Sequence, residues 1–151
     1  MDPVSAPHIH TVRTASAADL AGIRFVDPLM RADPDRAHLI QSAVNAGECV
    51  VAVDGEEILG FGILNYTFFH QGFVPLLVVG MGSRRLGIGK KLLSELERRC
   101  TRTKLYISAN RSNIPAQCLF EGCGFVPSGH IENLDLGDDE LLFFKPVRAG
   151  P

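Results

Sequence analysis

Apolar residues change their period several times along this chain, and each change marks an element. His8 to Thr14 alternates as a strand does. Ser16 then precedes Ala17-Ala18-Asp19-Leu20 as an N-cap with an acid in the first turn. Asp19 to Ala46 reads as one or two helices, interrupted near Pro28 and at Asp33-Pro34 and ended by Gly47. Glu48 to Val53 and Ile58 to Phe68 are β-rich runs joined by Asp54-Gly55, a hairpin signal. Phe73 to Val79 is a third, more buried strand. From Gly87 the period changes. Ile88, Leu92, Leu96 and Cys100 recur every four residues with Leu93 beside them, while Lys90, Lys91, Glu97 and Arg98 point outward, so this is an amphipathic helix. Lys104 to Ser108 is a strand again, and Ile114 to Glu121 is a helix with Pro115 in its first turn, stopped by Gly122 and Gly124. Phe125 to Val126 and Leu141 to Lys145 are closing strands. This order predicts an α/β (α+β) sandwich, a mixed sheet with helices packed on it.

Composition narrows the class. The 151 residues are 46% hydrophobic and 21% charged, with a formal net charge of −2. These values suit one domain over residues 1–151, able to bury roughly 70% of its unfolded surface, and exclude a disordered chain. The longest apolar run, Phe73 to Val79, falls far short of the roughly 20 residues of a membrane span. Met1 to His10 has neither the basic start nor the apolar stretch of a secretory signal. Cys49, Cys100, Cys118 and Cys123 show no CxxC spacing and read as reduced, mostly buried thiols. The expected location is the cytoplasm.

The small net charge hides an asymmetry. Arg84, Arg85, Lys90, Lys91, Arg98, Arg99, Arg102 and Lys104 face only Glu95 and Glu97 within that span. From Ser112 to Phe144 there is no Lys or Arg, while Glu121, Glu132, Asp135, Asp138, Asp139 and Glu140 are acidic. Both runs read either as solvated faces or as poles for an anion and a cation. The basic run coincides with a strand, a Gly- and Arg-rich turn (Gly80-Met-Gly-Ser-Arg-Arg-Leu-Gly-Ile-Gly89) and a helix start. Free N–H groups of a first helical turn, close-approach glycines and the helix dipole make such a place a phosphate site. Walker A fails here, because Arg84 stands five before Gly89 and Lys91 follows Lys90 where Ser or Thr belongs. The dinucleotide fingerprint also fails, since Gly80-x-Gly82 leads to Arg85 and Gly87-x-Gly89 leads to Leu92. His8-x-His10 supplies two ligands, too few for a metal site, and no metal is expected.

Arg84-Arg85-Leu86-Gly87-Ile88-Gly89 fits [Q/R]-x-x-G-x-[G/A]. Asn113, Ala116, Phe120, Gly124 and Phe125 then fall at the spacings of N-x-x-A-x-x-x-[Y/F]-x-x-x-G-F. In both motifs, over roughly residues 48 to 145, the chain resembles the GNAT superfamily of acyl-CoA-dependent N-acetyltransferases. The resemblance implies a mixed, mostly antiparallel sheet with helices on both faces, splayed at a bulge between Phe73–Val79 and Lys104–Ser108. It implies acetyl-CoA as co-substrate and a primary amine as acceptor. The backbone of Leu77, Val78 and Val79 would pair with the pantetheine arm. The N–H groups of Arg85, Leu86, Gly87, Ile88, Gly89 and Lys90 would hold the pyrophosphate, with Arg84 beside them. Asn113 would bond the pantetheine and Phe120 would lie by the cofactor. The acceptor site would come from Asp19 to Ala46 and Tyr66 to Gly72.

Two positions depart from the family. Phe120 stands where many members carry an acidic Tyr, and Ser108 where some carry a basic Glu. The catalytic residues are therefore open, with Tyr66, His70, Cys118 and Glu132 as replacement candidates. The acidic residues from Glu132 to Glu140 suggest a cationic amine, small or at a peptide end. An acyl-CoA-binding regulatory domain that lost catalysis is the alternative. An acceptor on RNA would need basic surface beyond the cofactor site, and coenzyme A already accounts for the clustered charge. Homodimers are frequent in families of this kind, which makes a homodimer a candidate assembly.

Overall fold

The computed structural model describes His10 to Arg148 apart from Arg85, so His8 and the backbone of Arg85 lie outside the described residues. Two sheets form. The first has the order β1 (Thr11–Thr14), β2 (Cys49–Asp54), β3 (Glu57–Ile63), β6 (Leu77–Val79), all antiparallel. The second runs β4 (Asn65–Phe68), β5 (Gln71–Val74), β7 (Lys104–Asn110), β9 (Glu140–Pro146), β8 (Val126–Ile131), with β5–β7 its one parallel pairing. Helices α1 (Leu20–Val26), α2 (Leu29–Ala32) and α3 (Pro34–Asn45) bury Ile23, Met30, Ile40, Ala43 and Val44 on one face of the first sheet. Helices α4 (Ile88–Arg99) and α5 (Ile114–Gly122) cover the opposite side of both sheets. The patterning predicts a mixed sheet with helices packed on it, and the observed helices on both faces of a mostly antiparallel arrangement are what the resemblance implies. No helix among the described residues is long and apolar enough to cross a membrane.

Three predicted elements divide. Asp19 to Ala46 becomes a 3-10 turn and three helices, because Pro28 and the Asp33-Pro34 step each restart the chain; Asp33 caps α3 by accepting from the N–H groups of Asp35 and Arg36. The predicted Ile58–Phe68 strand breaks at Leu64, and its halves enter different sheets. Just past the break, Asn65 turns its side chain onto the Thr67 N–H at 3.2 Å, which competes with the β ladder. The predicted Phe73–Val79 strand breaks at Pro75-Leu76, again between sheets. Pro75 has no N–H to give a neighbour. The hairpin signal sits one residue later than expected. Asp54 pairs with Glu57, and the two-residue loop is Gly55-Glu56, with Gly55 at φ +61° in its first position.

The break at Pro75 carries a parity change. Val74 points into the core under α4, and so do Leu77 and Val79, three and five residues on, whereas Leu76 and Val78 pack on the α1–α3 side. Regular alternation would put Val74 and Leu76 on one face, so one residue is extra, the signature of a bulge. β5 keeps β7 as its partner up to the pair Val74↔Ile107, and β6 keeps only β3. The two strands part between those points.

Two bidentate ion pairs fasten the N-terminal helices. Arg36 donates to Asp27 through Nε at 2.7 Å and Nη2 at 3.1 Å, and Asp27 is 2% exposed. Arg13 on β1 donates to Asp19 through Nη1 at 2.8 Å and Nη2 at 2.9 Å, and the Ser16 N–H adds a third bond at 2.8 Å. Pairing with Arg13 holds the Asp19 carboxyl down at about 2, below its ordinary 3.8. A depressed folded-state pKa stabilises the protein above the unfolded value, and that stabilisation fades as pH falls from about 4 to about 2. The Arg13 side chain is 46% exposed, which screens the pair. The variant Asp19→Asn should therefore lose about 1 kcal/mol at pH 7. Urea titrations between about pH 2 and pH 5 should show the variant's deficit shrinking as the wild type acidifies.

Candidate active site

The parting of β6 from β7 leaves one edge of β6 without a strand. Ile63 N–H donates to Leu76 O at 3.0 Å, and Gly80 N–H donates to Leu59 O at 2.8 Å. Backbone groups alternate in direction along a strand, so Leu76, Val78 and Gly80 face β3, while Leu77 and Val79 turn N–H and C=O into the cleft. Of the three residues expected to pair with a pantetheine arm, Leu77 and Val79 have their polar backbone in position. Val78 spends its own on β3. On the other wall, Ser108, Ala109 and Asn110 continue β7 past the last pairing with β5.

At the upper end of the cleft stands the N-terminus of α4. Gly87 caps it at φ +77°, a left-handed conformation that suits glycine, and no side chain bonds the first turn. Lys91 N–H is the first to find a helical acceptor, Gly87 O at 3.1 Å, and among the described residues the N–H groups of Ile88, Gly89 and Lys90 have none. The first turn carries no acid, while Lys90 and Lys91 are exposed. Arg84 and Leu86 are exposed in the preceding turn. Free donors, a positive dipole end and flanking cations suit a phosphate group.

Small residues bring these parts together. A Cβ on Gly89 would lie 2.8 Å from Leu119 Cδ2, so the glycine lets α5 close on the start of α4. A Cβ on Gly60 would lie 2.6 Å from Val78 O, and one on Gly62 2.9 Å from Leu96 Cδ1. The Gly60-Phe-Gly62 pattern in β3 is thus what seats β6 and α4 together. Glycine inside a strand was the available signal for this close approach.

Asn113 caps α5, its Oδ1 accepting from the Ala116 N–H at 3.3 Å, which leaves the amide NH2 as its donor. The acidic loop between β8 and β9 holds that cap in place. Asp138 accepts from Ser112 N–H at 3.0 Å and from Ser112 Oγ, and these bonds lower its pKa. Asp135 accepts from Asn110 Nδ2 at 2.8 Å, and Asp139 pairs with Arg111 at 3.3 Å. Three acids that the sequence offers to a cationic substrate are therefore engaged in holding the β7–α5 connection.

The replacement catalytic candidates are not brought together at the cleft. The Tyr66 hydroxyl accepts from the Thr101 N–H at 3.0 Å, beyond the C-terminal end of α4. His70 sits in the β4–β5 turn, where its carbonyl accepts from Arg102 Nε at 3.1 Å. Seven residues of strand, about 20 Å, separate it from Leu77. His70 therefore lies at the far end of β5, while Tyr66 on β4, next to the Asn65↔Phe73 pair, spends its hydroxyl on Thr101. Cys118 is exposed on the side of α5 away from buried Phe120. Glu132 is exposed and faces His130 at 3.5 Å. Donor atoms of His130, Glu132 and Asp139 lie within 4.8 Å of one another, a grouping that the Glu132–His130 and Asp139–Arg111 contacts account for. Phe120 is 3% exposed, packed on Phe125 and Phe143 at ring distances of 6.2 and 5.5 Å. It is a core residue beneath the cleft.

The basic run also divides. Arg84, Lys90 and Lys91 stand at the start of α4, but Arg98, Arg99, Arg102 and Lys104 lie at or past its other end, about 18 Å away. Arg98 and Arg99 both bond Glu95, and pairing with Arg98 holds that carboxyl down at about 2. Only the first of these groups stands beside the uncapped helix start.

Residues 16–125 match the family Acetyltransferase (GNAT) family. The chain belongs to the GNAT family of acetyltransferases. This GNAT protein is 32% identical to an acetyltransferase of the same family from Bacillus cereus, over 93% of this chain and 99% of that one, with a TM-score of 0.86. It also shares its fold with the ribosomal-protein-S18-alanine N-acetyltransferase of Escherichia coli: 21% identity, 95% and 97% coverage, TM-score 0.75. A third structure, a candidate streptothricin acetyltransferase from Bacillus anthracis solved with acetyl coenzyme A, aligns over 65% of this chain and 61% of its own, at 20% identity and TM-score 0.60. A search of curated proteins finds no match. The protein is thus an acyltransferase, and the co-substrate of its family is acetyl-CoA.

Gly60→Ala should force β6 off β3, because backbone meets the new methyl. The expected loss is about 2 kcal/mol in denaturant unfolding, with weaker acetyl-CoA binding by calorimetry. Gly82→Ala, with open space around the new Cβ, should leave both unchanged.

Proposed function

We propose that this acetyltransferase moves the acetyl group of acetyl-CoA onto the nitrogen of a primary amine by direct attack. The observation that carries the reading is the open edge of β6 beside the uncapped N-terminus of α4. Leu77 and Val79 give the pantetheine arm backbone partners, and the N–H groups of Leu86 to Lys90 take the pyrophosphate, with Arg85 assigned there by the motif. Arg84 and Lys90 add charge, and the Asn113 amide bonds the arm from the other wall. Val78 acts by holding β6 to β3, and Phe120 by filling the core below. The whole chain works as one domain.

In the transfer, the neutral amine nitrogen bonds to the thioester carbonyl carbon and the carbon–sulfur bond breaks. The amine proton passes to solvent, and coenzyme A leaves as the thiol. A thiolate leaves readily, so the lack of a proton on Phe120 does not stop the step. The protein supplies position and backbone polarisation. A second reading, an acyl-CoA-binding regulatory domain with weak catalysis, is favoured by Ser108 and Phe120 standing where other members carry a base and an acid. It gives acetyl-CoA binding without release of coenzyme A across a panel of amines.

Thermal unfolding with acetyl-CoA, ATP and NAD tests the cradle. Acetyl-CoA at 100 times its Kd should stabilise by about 2.7 kcal/mol, a rise of several degrees for a domain of this size. ATP and NAD should give less, and Arg84→Ala with Lys90→Ala should reduce the acetyl-CoA shift. No shift, or an equal one with ATP, would overturn the proposal.

A further inference from the structure

We infer that the acceptor is a primary amine carried on an aromatic or bulky apolar body, recognised by a row of aromatic side chains beside the cleft. The inference rests on the acetyl-transfer reading above. Leu105, Ile107 and Ala109 of β7 and Leu141 and Phe143 of β9 point under α4 and α5. Alternation puts Tyr106, Ser108, Leu142 and Phe144 on the other face of the second sheet. There the rings of Phe68 and Phe73 stack at 5.2 Å, Phe68 meets Tyr106 at 5.2 Å, and Tyr106 meets Phe144 at 5.4 Å. These four rings cross β4, β5, β7 and β9, belong to neither core cluster and are partly exposed. The buried apolar residues of α1–α3 pack on the first sheet instead, while Phe25 and Leu29 stay exposed.

The position of the row identifies its occupant. Phe73 pairs with Tyr106 one residue before Val74↔Ile107, the last pairing before β5 and β7 part. The rings therefore begin about 3.3 Å along the strand from the mouth of the cleft. Among the described residues, neither the Tyr106 hydroxyl nor the Ser108 hydroxyl is committed to a hydrogen bond. Ring faces attract an ammonium group, and ring edges and faces pack against an apolar body. Charge argues against a polycation. Alternation places Lys104 at one end of this face and Glu140 at the other, and Asp135, Asp138 and Asp139 are engaged with Asn110, Ser112 and Arg111.

A free arylalkylamine and a protein N-terminus beginning with an aromatic residue share this chemistry, and the test separates them. The chain has no tryptophan and two tyrosines, so in Tyr66→Phe all intrinsic tyrosine emission comes from Tyr106. With coenzyme A bound, that variant is titrated with 2-phenylethylamine, a tetrapeptide with N-terminal Phe, and spermidine. Saturable changes are expected with the first or second, at least about 10-fold tighter than with spermidine; the tighter of the two names the source. Phe144→Leu keeps apolar bulk but removes a ring. It should raise the KM of the preferred amine about 5-fold while leaving the acetyl-CoA thermal shift intact. Equal or tighter binding of spermidine, or an unchanged KM in Phe144→Leu, would overturn the inference and leave acetyl transfer standing. A dimer that covers this face, seen by sedimentation and broken by Phe144→Lys, would also overturn it. Loss of the acetyl-CoA shift in the unmodified protein would instead sink the transfer reading itself.

Discussion

Every backbone N–H and C=O in a sheet needs a partner, and at Pro75 this chain stops supplying one. β5 keeps β7 and β6 keeps β3, so one strand serves two sheets in succession. The extra residue at the break reverses which side chains face α4, and it leaves Leu77 and Val79 with polar backbone directed at open space. Such an edge is ordinarily a liability, open to pairing with any extended chain. Here it is short, lies in a cleft, and ends at a helix N-terminus that is also unsatisfied. Two sets of unpaired backbone groups lie side by side there, the chemistry that an extended, phosphate-bearing ligand requires.

Helix α4 makes that arrangement rigid. Its apolar stripe of Ile88, Leu92, Leu93 and Leu96 is fully or almost fully buried under both sheets, so the helix cannot turn without losing core contacts. Gly60, Gly62 and Gly89 remove the side chains that would hold β6, α4 and α5 apart. The same helix has two charged ends with different uses. At its start Lys90 and Lys91 are exposed. At its end Arg98 and Arg99 share Glu95, and the Arg102 guanidinium lies 5.9 Å from the centre of the Tyr66 ring.

Acidic residues show that a charge pattern can serve the fold. A run without a single Lys or Arg looks like a lure for cations, yet Asp135, Asp138 and Asp139 bond the β7–α5 connection and so hold Asn113 at the cleft. The surface next to the cleft is aromatic instead. Tyr106 and Phe144 are visible in the sequence as polar-face positions of two strands, but nothing local shows that their strands are neighbours.

The sequence by itself determined the elements and the family. A period near four residues announced α4, Gly87 and Pro115 marked helix starts, and the Arg84–Gly89 and Asn113–Phe125 motifs identified the superfamily, because each is a local signal set by backbone geometry. Tertiary structure alone decided where the strand runs break, that Val78 turns away from the cleft while Leu77 and Val79 face it, that the Tyr66 hydroxyl is engaged by Thr101, and that His70 stands at the far end of β5. It also decided which charges are engaged and which rings line the second sheet. Those outcomes depend on pairing between residues distant in the chain, such as Val74 with Ile107 and Tyr106 with Phe144, and no local pattern encodes which partner a strand will find.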